Sequence, residues 1–332
     1  MTAPNLDLIK MILTQRLVLR PFREPDAAPL FTFMGDPEAM RHTYVAPSLN
    51  SLRARLQSYE AQRKSCGYTP WIVLDRNSGV IVGWGGLGKD IEDPRWGTEV
   101  MYAISPSHQG NGFATELVQH SLQYGLKANC TGEVSAFAKP MNVASIRVLE
   151  KSGFKLAGYE PELRRNRYAI SKEPASFCPS LPFVTISLES PDQAEIRHLI
   201  EELDAYQKPL YPAASHHGLD VHALSHSHAL FAVARSEQGD ALACGAMVLA
   251  AAYGEVKRMY TREEQRGRGL ARGILSFLEA EAAGRGCSLF VLETGSLQPE
   301  AISLYGKCGY ERCRPFGDYV DDPHSVFMSK SV

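Results

Sequence analysis

The sequence predicts a mixed α/β protein made of two tandem domains that share one plan. Its 332 residues exceed the usual length of a single domain. A glycine-rich segment at residues 109–114 recurs at residues 266–271, and Gly153-Phe154 recurs as Gly309-Tyr310 at nearly the same offset. A repeat of this kind indicates two copies of one order of strands and helices.

In the first half, apolar patterns and turn residues give the expected order of elements. Alternating residues before Pro21 predict an opening strand. Two apolar runs joined by Asn77-Ser78-Gly79 predict a hairpin, and the glycine-rich segment opens a helix whose apolar residues have helical spacing. The predicted elements are strands at 17–22, 71–74, 80–84, 99–104 and 133–137, a helix after residue 112, a helix at 143–152 and a closing pair of strands.

The second half repeats this order, so both halves are expected to contain similar sheets. The predicted elements are strands at 184–188, 231–234, 242–249, 255–260 and 289–292, a helix from residue 270, a helix at 299–308 and a closing pair of strands. Three prolines between residues 173 and 182 predict an exposed linker. We therefore expect the first domain to span residues 1–176 and the second to span residues 177–332.

The composition is that of a globular protein with a nearly neutral balance of charge. Hydrophobic residues make up 44% and charged residues 22%, and the formal net charge is -2. This excludes a disordered chain and leaves no basic run for nucleic acid. No apolar stretch reaches the roughly 18–20 residues of a membrane span, and no signal peptide is recognisable. Seven scattered cysteines without a C-x-x-C pair favour a reducing cytoplasm with free thiols and no structural zinc.

The glycine-rich segments predict a site for a phosphorylated cofactor. Glycines let the backbone approach a ligand, and the N–H groups at a helix start lack partners. A Walker loop is excluded because neither segment ends in Gly-Lys-Ser/Thr. Gly267, Gly269 and Gly273 mimic a dinucleotide fingerprint. A dinucleotide-dependent oxidoreductase is therefore an alternative, although the first half has Glu116 at the third position.

Both segments also fit the pattern Q/R-x-x-G-x-G/A after a strand that carries a glutamate. This pattern resembles the acetyl-CoA signature of the GNAT N-acetyltransferase superfamily. The first half, with residues 14–21 and Asn142-x-x-Ser145, resembles the RimJ/RimL-type branch. The second half, with Lys257-Arg258-Met259-Tyr260 and residues 301–305, resembles a bacterial small-molecule-type branch.

This resemblance implies two tandem GNAT-like acyl-CoA N-acyltransferase domains that use acetyl-CoA as co-substrate and no metal. It implies that the pantetheine arm enters between two splayed parallel strands. It further implies that a primary amine, of a small molecule or a protein N-terminus, attacks the thioester directly. The implied cofactor-binding residues are Gln109, Gly110, Asn111, Gly112, Phe113, Ala114, Arg266, Gly267, Arg268, Gly269, Leu270 and Ala271.

Direct transfer needs a route for the amine proton and an acid for the departing thiolate. Glu99 and Glu255, on the strands before the glycine-rich segments, are candidate bases, and ordinary strand-edge carboxylates are the alternative. Glu99 lies ten residues before Gln109, and Glu255 lies eleven before Arg266. Because side chains alternate along a strand, the two glutamates are equivalent only if one strand carries a bulge.

The candidate acid of the second half is Tyr305, four residues before Gly309. The resemblance places there a tyrosine that protonates the CoA thiolate, and the alternative is a tyrosine packed in the core. The first half has Leu149 at the matching position. In that half, Asn142 and Ser145 are expected to hold pantetheine or the thiol sulfur, with a helix N-cap as the alternative for Asn142.

Charge is expected to distinguish the two sites. Four arginines surround the second segment, whereas no arginine occurs between residues 96 and 146 around the first. Because arginine suits pyrophosphate and phosphate groups, the second site is expected to bind CoA better.

Five of the ten histidines lie between residues 216 and 228. Acceptor recognition, a solvated helix and a metal pair at His222 and His226 are the alternatives for that segment.

We therefore expect a cytoplasmic N-acetyltransferase that acts as a monomer or homodimer, without nucleic-acid or membrane partners. In this interpretation the protein is bifunctional, with one site per domain. The main alternative is that only the second domain catalyses and the first is a CoA-binding or scaffolding module.

Overall fold

The computed structural model describes residues 10–127, 132–170, 182–212, 220–225 and 228–332. The chain divides into two compact units, Lys10–Phe183 and Val184–Val332. The boundary expected between residues 176 and 177 lies outside the described residues. Across the described ranges, no helix is long and apolar enough to cross a membrane.

The first unit follows the expected order of elements, with additions near its start. Its elements are β1 (Lys10–Leu13), β2 (Leu17–Arg20), α1 (Ala27–Met34), α2 (Leu49–Cys66), β3 (Trp71–Asp75), β4 (Ile81–Gly88), β5 (Thr98–Ile104), α3 (Phe113–Lys127), β6 (Val134–Ala138), α4 (Val143–Lys151), β7 (Lys155–Glu160) and β8 (Arg165–Ile170).

The second unit repeats the same plan. Its elements are β9 (Val184–Leu188), α5 (Ala194–Gln207), α6 (Val221–Leu224), β10 (Ala229–Arg235), β11 (Ala241–Leu249), β12 (Gly254–Thr261), α7 (Leu270–Ala283), β13 (Leu289–Gly295), α8 (Pro299–Lys307), β14 (Glu311–Arg312) and β15 (Ser325–Ser331).

Each unit contains one parallel strand pair among antiparallel neighbours. The strand order is β1-β2-β3-β4-β5-β6-β8-β7 in the first unit and β9-β10-β11-β12-β13-β15-β14 in the second. The parallel pairs are β5 with β6 and β12 with β13. The prediction of similar mixed sheets in the two halves is confirmed.

Both parallel pairs separate after a few residues. The pairing of β5 with β6 covers two positions and ends at Glu99 opposite Ser135. The pairing of β12 with β13 covers three positions and ends at Val256 opposite Leu292. All four strands continue beyond these points, so a gap opens between the two strands of each pair. The expected splayed pairs are therefore present.

The helices after the glycine-rich segments pack on the sheet by their predicted apolar faces. Helix α3 packs against β4 and β5, and α7 packs against β10 and β11. Leu117 and Val118 of α3 and Ile274 and Leu278 of α7 are fully buried. This packing fixes the start of each helix, and with it the glycine-rich turn, at the edge of the gap.

Three elements of the first unit are not predicted by the sequence analysis: β1, α1 and α2. Helix α2 has 18 residues and buries only a narrow stripe that includes Leu52, Leu56 and Tyr59. The Ser48 side chain caps its start by accepting a hydrogen bond from Ser51 N, and the helix ends at Gly67 with φ of +77°. Because most of its residues are polar, apolar periodicity gives little sign of it.

Candidate active sites

Each glycine-rich segment forms the connection between a strand and a helix. We call residues 109–114 the first glycine turn and residues 266–271 the second glycine turn. The two turns have the same backbone path: φ is +79° and +78° at the glycines of the first turn, and +75° and +73° at those of the second. Glycine adopts this left-handed region without the strain that a Cβ atom brings. The repeated glycines are therefore required by the conformation of the backbone.

The first residue of each turn fastens the turn to the preceding strand. Gln109 Nε2 donates to the carbonyl of Ile104 at 3.0 Å, and Arg266 Nε donates to the carbonyl of Thr261 at 3.3 Å. Ile104 and Thr261 are the last residues of β5 and β12. Gln109 and Arg266 thus have the same structural role, which is compatible with a ligand contact through their remaining N–H groups.

The last residues of each turn begin a helix. Phe113 and Leu270 are the first residues of α3 and α7, and their buried side chains anchor the helix start. The bonds Glu116 N to Gly112 O and Gly273 N to Gly269 O begin the helical pattern. By helix geometry, the N–H groups before them have no intrahelical acceptor and carry partial positive charge. Each turn therefore presents donors to an anion.

An arginine from a distant part of the sequence contacts the first glycine turn, which contains no arginine itself. Arg16, between β1 and β2, donates from Nη1 to the carbonyl of Asn111 at 2.7 Å, and its guanidinium lies 5.3 Å from the ring centre of Phe113. Arg16 also pairs through Nε with the Glu116 carboxylate at 2.7 Å. The expectation that the first turn has no arginine nearby is corrected, because the β1–β2 connection supplies one from a distant part of the sequence.

The arginines around the second turn are partly engaged with neighbours. Arg262 lies 3.4 Å from the Glu202 carboxylate of α5. The Arg266 guanidinium lies 5.3 Å from the ring centre of Tyr206, and Arg268 hydrogen-bonds Gln265. The second turn still collects more positive charge than the first, where the Glu116 carboxylate balances Arg16.

Glu99 is a buried carboxyl group at the point where β5 and β6 separate. It is 7% exposed, and within the described ranges its carboxylate makes no hydrogen bond or ion pair. Burial, together with the charges of Asp90 and Asp93, raises the pKa of Glu99 from 4.5 to about 7. A carboxyl group with this pKa is suited to accept a proton near neutral pH.

Glu255 occupies the matching position in the second unit but has partners. Its carboxylate lies 2.7 Å from Lys257 Nζ and accepts a hydrogen bond of 2.7 Å from the Tyr319 hydroxyl. Lys257 also contacts the Tyr319 hydroxyl. Burial and the Glu255 carboxylate raise the pKa of Tyr319. Glu255 is thus held by two donors, whereas Glu99 stands in an environment that favours its neutral form.

A bulge makes the two glutamates equivalent. In β12, Arg258 and Met259 together stand opposite Gly245 of β11, and Arg258 has φ of +53°. Strand β5 pairs with β4 residue for residue. The bulge absorbs the extra residue between Glu255 and the second turn, so Glu99 and Glu255 both occupy the second position of their strands. The bulge that the spacing requires is present in the second unit.

Tyr305 and Leu149 occupy equivalent positions near the ends of α8 and α4. The Tyr305 carbonyl accepts from Tyr310 N at 3.0 Å, as the Leu149 carbonyl accepts from Phe154 N at 3.0 Å. Tyr305 is 6% exposed, its ring centre lies 5.9 Å from that of Tyr310, and burial raises its pKa. Leu149 fills the same place with an apolar side chain.

Asn142 and Ser145 lie together at the start of α4. The Asn142 side chain accepts a hydrogen bond from Ser145 N at 3.2 Å and caps the helix, which is the N-cap alternative. The Ser145 hydroxyl lies 2.6 Å from the hydroxyl of Tyr102, on the part of β5 beyond its pairing with β6. Among the described residues, no hydrogen bond joins Ser145 to Glu99 or Tyr305 to Glu255.

The histidine-rich segment is described only in part. His216, His217 and His226 lie outside the described residues, so the alternatives for this segment, including a metal pair at His222 and His226, stay open. Across the ranges that the structure describes, no group of three metal-ligating side chains is found.

Sequence reasoning missed several residues that the structure brings to the two sites. The partners of Arg16, Tyr102 and Tyr319 are far away in sequence. Lys257 pairs with Glu255 two residues away and also contacts Tyr319. Lys257 and Tyr102 could have been found, because each lies on a strand that leads into a glycine turn. Nothing in the local pattern around Arg16 or Tyr319 indicates its partner.

Two family models match most of the described chain. Residues 16–155 match a model described as acetyltransferase (GNAT) domain, and residues 195–310 match one described as acetyltransferase (GNAT) family. The matched segments include both glycine turns and both strand glutamates.

Individual proteins show the same similarity. An IAA acetyltransferase of Azospirillum brasilense is 45% identical over 154 residues, which are 46% of this chain and 100% of the relative. The uncharacterized N-acetyltransferase YedL of Escherichia coli (strain K12) is 37% identical over 125 residues, 36% of this chain and 77% of the relative. The solved structure of Mycobacterium smegmatis RimJ in complex with CoA-disulfide has 20% identity and a TM-score of 0.41, covering 49% of this chain and 86% of that chain.

The full-length match to the first relative and the two family models agree with the repeated fold and the paired glycine turns. The chain therefore belongs to the GNAT acetyltransferase family, with one acetyltransferase domain in each half.

Proposed function

We propose that the protein transfers the acetyl group of acetyl-CoA to a primary amine, with one site in each domain. One repeated observation carries the proposal: in each unit, a parallel strand pair separates beside a left-handed glycine turn and a helix start. The gap suits a narrow chain, and the helix start offers N–H donors to phosphate. A ligand with pyrophosphate in its middle and a thioester at one end fits this arrangement.

In this proposal the strand glutamates receive the proton of the amine. The amine nitrogen must lose its proton to attack the thioester carbon, and a base with a pKa near the working pH does this best. Glu99 has this property because it is buried and forms no ion pair within the described residues, so that burial outweighs the charge of Arg165. Glu255 is held by Lys257 and Tyr319, so a water molecule between Glu255 and the amine suits its role better than direct contact.

The leaving sulfur is stabilised by different groups in the two domains. In the second domain the Tyr305 phenol donates its proton to the thiolate as the C–S bond breaks. In the first domain Leu149 has no proton to donate, and the Ser145 hydroxyl at the start of α4 stabilises the thiolate by a hydrogen bond. Asn142 supports the site by holding the first turn of α4.

The acceptor is proposed as a class, a primary amine of a small molecule or of a protein N-terminus. We also propose a cytoplasmic location, which the free thiols of the described cysteines support.

The proposal is tested by counting the CoA molecules that bind to the full chain. Ala114→Glu and Ala271→Glu place a carboxylate in the first turn of α3 or α7, where it stabilises the helix but repels phosphate. Calorimetry should find two CoA molecules per wild-type chain and one for each variant. Ala114→Gln and Ala271→Gln, which add the same bulk without charge, are the matched controls. A wild-type chain that binds one CoA molecule would contradict the two-site proposal.

Activity is then tested with acetyl-CoA and a panel of small amines and peptide N-termini, with release of the CoA thiol as the signal. Each single-site variant should acetylate its own acceptors. If Ala271→Glu acetylates none while Ala114→Glu keeps all the activity, the first domain is a CoA-binding module and only the second catalyses. An absence of thiol release from the wild-type chain with every amine would count against acetyl transfer to amines.

A further inference from the structure

We infer that Tyr102 is a positioning residue of the first site: it holds the Ser145 hydroxyl in place to donate a hydrogen bond to the sulfur of the departing CoA. This inference rests on the proposed function of the first domain. In the second domain, Tyr305 on α8 donates to the sulfur directly. In the first domain, the tyrosine lies on β5 and acts through Ser145.

The contact between the two hydroxyls is short. Tyr102 Oη lies 2.6 Å from Ser145 Oγ and 3.2 Å from the Ser145 carbonyl oxygen. The phenol has one proton, and in this inference it goes to the nearer acceptor, Ser145 Oγ. The Ser145 hydroxyl then accepts from Tyr102 and keeps its own proton for a ligand. Ser145 is half-buried, so this proton can face a ligand.

The surroundings of Tyr102 suit a fixed donor. Tyr102 lies on β5 three residues beyond Glu99, where the pairing with β6 has ended, so its side chain bridges from β5 to the start of α4. Its ring packs with the buried residues of the first unit. Burial raises the pKa of Tyr102 to about 12, so the phenol keeps its proton at neutral pH.

The two domains differ at the two elements concerned. In the second domain, β12 carries its bulge at Arg258 and Met259, the part of the strand that corresponds to Tyr102. That domain has its buried phenol on α8, at Tyr305. The first domain has an unbulged strand with a phenol and a helix with Leu149. The phenols proposed to act at the leaving sulfur therefore come from different elements in the two domains, β5 in the first and α8 in the second.

The chemical step balances with these groups. The amine nitrogen forms a bond to the thioester carbon and gives its proton to Glu99. The C–S bond breaks, and the sulfur leaves with the electron pair as a thiolate. The Ser145 hydroxyl donates a hydrogen bond to this thiolate, and the bond from Tyr102 to Ser145 strengthens it because hydrogen bonds in a chain polarise one another. The thiolate takes its proton from solvent after release.

The test measures the pKa of the CoA thiol bound to the first site, which requires no knowledge of the acceptor. The full chain carries Ala271→Glu, so that CoA binds only to the first domain. Thiolate absorbance is titrated with pH for this chain and for the same chain with Tyr102→Phe. Loss of a hydrogen bond that favours the thiolate should raise the thiol pKa by about one unit. Tyr124→Phe, which removes another half-buried phenol of the same unit, is the matched control and should leave the thiol pKa unchanged.

A double variant tests whether Tyr102 acts through Ser145. Ser145→Ala should raise the thiol pKa at least as much as Tyr102→Phe, and the two changes together should raise it no further than Ser145→Ala alone. Equal thiol pKa values in Tyr102→Phe and Tyr124→Phe, or fully additive changes, would overturn the inference while CoA binding stands. If the Ala271→Glu chain binds no CoA, the proposed function of the first domain fails and this inference fails with it.

Discussion

Glu99 and Glu255 occupy the same strand position in the two domains, but their surroundings give the two carboxyl groups different properties. Glu99 is buried and forms no ion pair within the described residues, and its pKa rises to about 7 because burial outweighs the charge of Arg165. Glu255 is bound by Lys257 and Tyr319. The Glu99 carboxylate is therefore available to accept a proton. The Glu255 carboxylate belongs to a polar network with Lys257 and Tyr319, and its removal would disturb that network.

This difference predicts opposite effects of Glu99→Gln and Glu255→Gln on stability. Between about pH 4.5 and 7, folded Glu99 keeps a proton that the unfolded chain has released, so the free energy of unfolding falls as pH rises through this window. Glu99→Gln removes this loss and should be more stable than wild type above pH 7, by up to about 3 kcal/mol. Glu255→Gln removes the carboxylate that pairs with the Lys257 ammonium and accepts from Tyr319, and this variant should be less stable by about 1–3 kcal/mol.

Denaturant unfolding at low and high pH measures both effects without any acceptor. Near pH 4 the Glu99→Gln chain should match the wild type, because Glu99 is protonated in both states there. An equal loss of stability in the two variants above pH 7 would show that Glu99 is paired after all. Acetyl transfer by the first domain should rise with pH through about 7, since only the carboxylate accepts a proton.

Tyr305 gives a prediction for the second domain alone. Tyr305→Phe keeps the ring that packs near Tyr310 and removes only the hydroxyl, so stability and acetyl-CoA binding should change little. Turnover should fall by roughly 10²–10⁴-fold, the usual effect of losing a general acid. Tyr310→Phe is the matched control, because it removes a neighbouring buried phenol. The measurement is the single-turnover rate of the Ala114→Glu chain, and an undiminished rate would assign Tyr305 to packing.

At the scale of elements, the glycines of the two turns are required by the conformation of the backbone and not by a lack of space for a side chain. The glycines Gly110 and Gly267 have φ of +79° and +75°, and no atom lies within 4 Å of a Cβ placed on either. Alanine would therefore meet no clash, but it would be forced into the left-handed region.

We expect Gly110→Ala and Gly267→Ala each to lower the free energy of unfolding by about 1–2 kcal/mol. Asparagine at either position should cost less, because its side chain tolerates this conformation. Gly306, inside α8 with an equally open Cβ position and no left-handed φ, is the control: Gly306→Ala should stabilise by about 0.5–1 kcal/mol. Denaturant midpoints measure all three, and loss of stability in all three would point to steric causes.

At the scale of the whole molecule, the two turns carry different charge. The second turn has several arginines around it, and the first has Arg16 balanced by Glu116. Opposite charges near the surface attract less as ionic strength rises, because the screening length shrinks to about 8 Å at 0.15 M.

The second site should therefore lose more CoA affinity than the first when salt is added. Calorimetry on Ala114→Glu reports the second site, and calorimetry on Ala271→Glu reports the first, each at ionic strengths below and above about 0.15 M. Equal loss at both sites would show that the arginines around the second turn are held by their own partners, as Arg262 is by Glu202.

The sequence by itself determined the plan of the molecule, because that plan rests on local rules. Alternation and helical spacing set most of the strands and helices. The glycines of the two turns follow from a conformation that only they adopt easily. The unequal spacing before the turns indicated that the two glutamates are equivalent only if one strand carries a bulge, and the structure places that bulge in β12. Helix α2 was missed because its apolar stripe is narrow and most of its residues are polar.

Only the tertiary structure decided the chemistry of each site, because side chains far apart in sequence meet there. Arg16 and Asn111 are 95 residues apart, Tyr102 and Ser145 are 43 apart, and Glu255 and Tyr319 are 64 apart. No local pattern records these contacts. Burial likewise belongs to the folded state, since a carboxyl group such as Glu99 is moved from its ordinary pKa only when the packed sheet removes it from water.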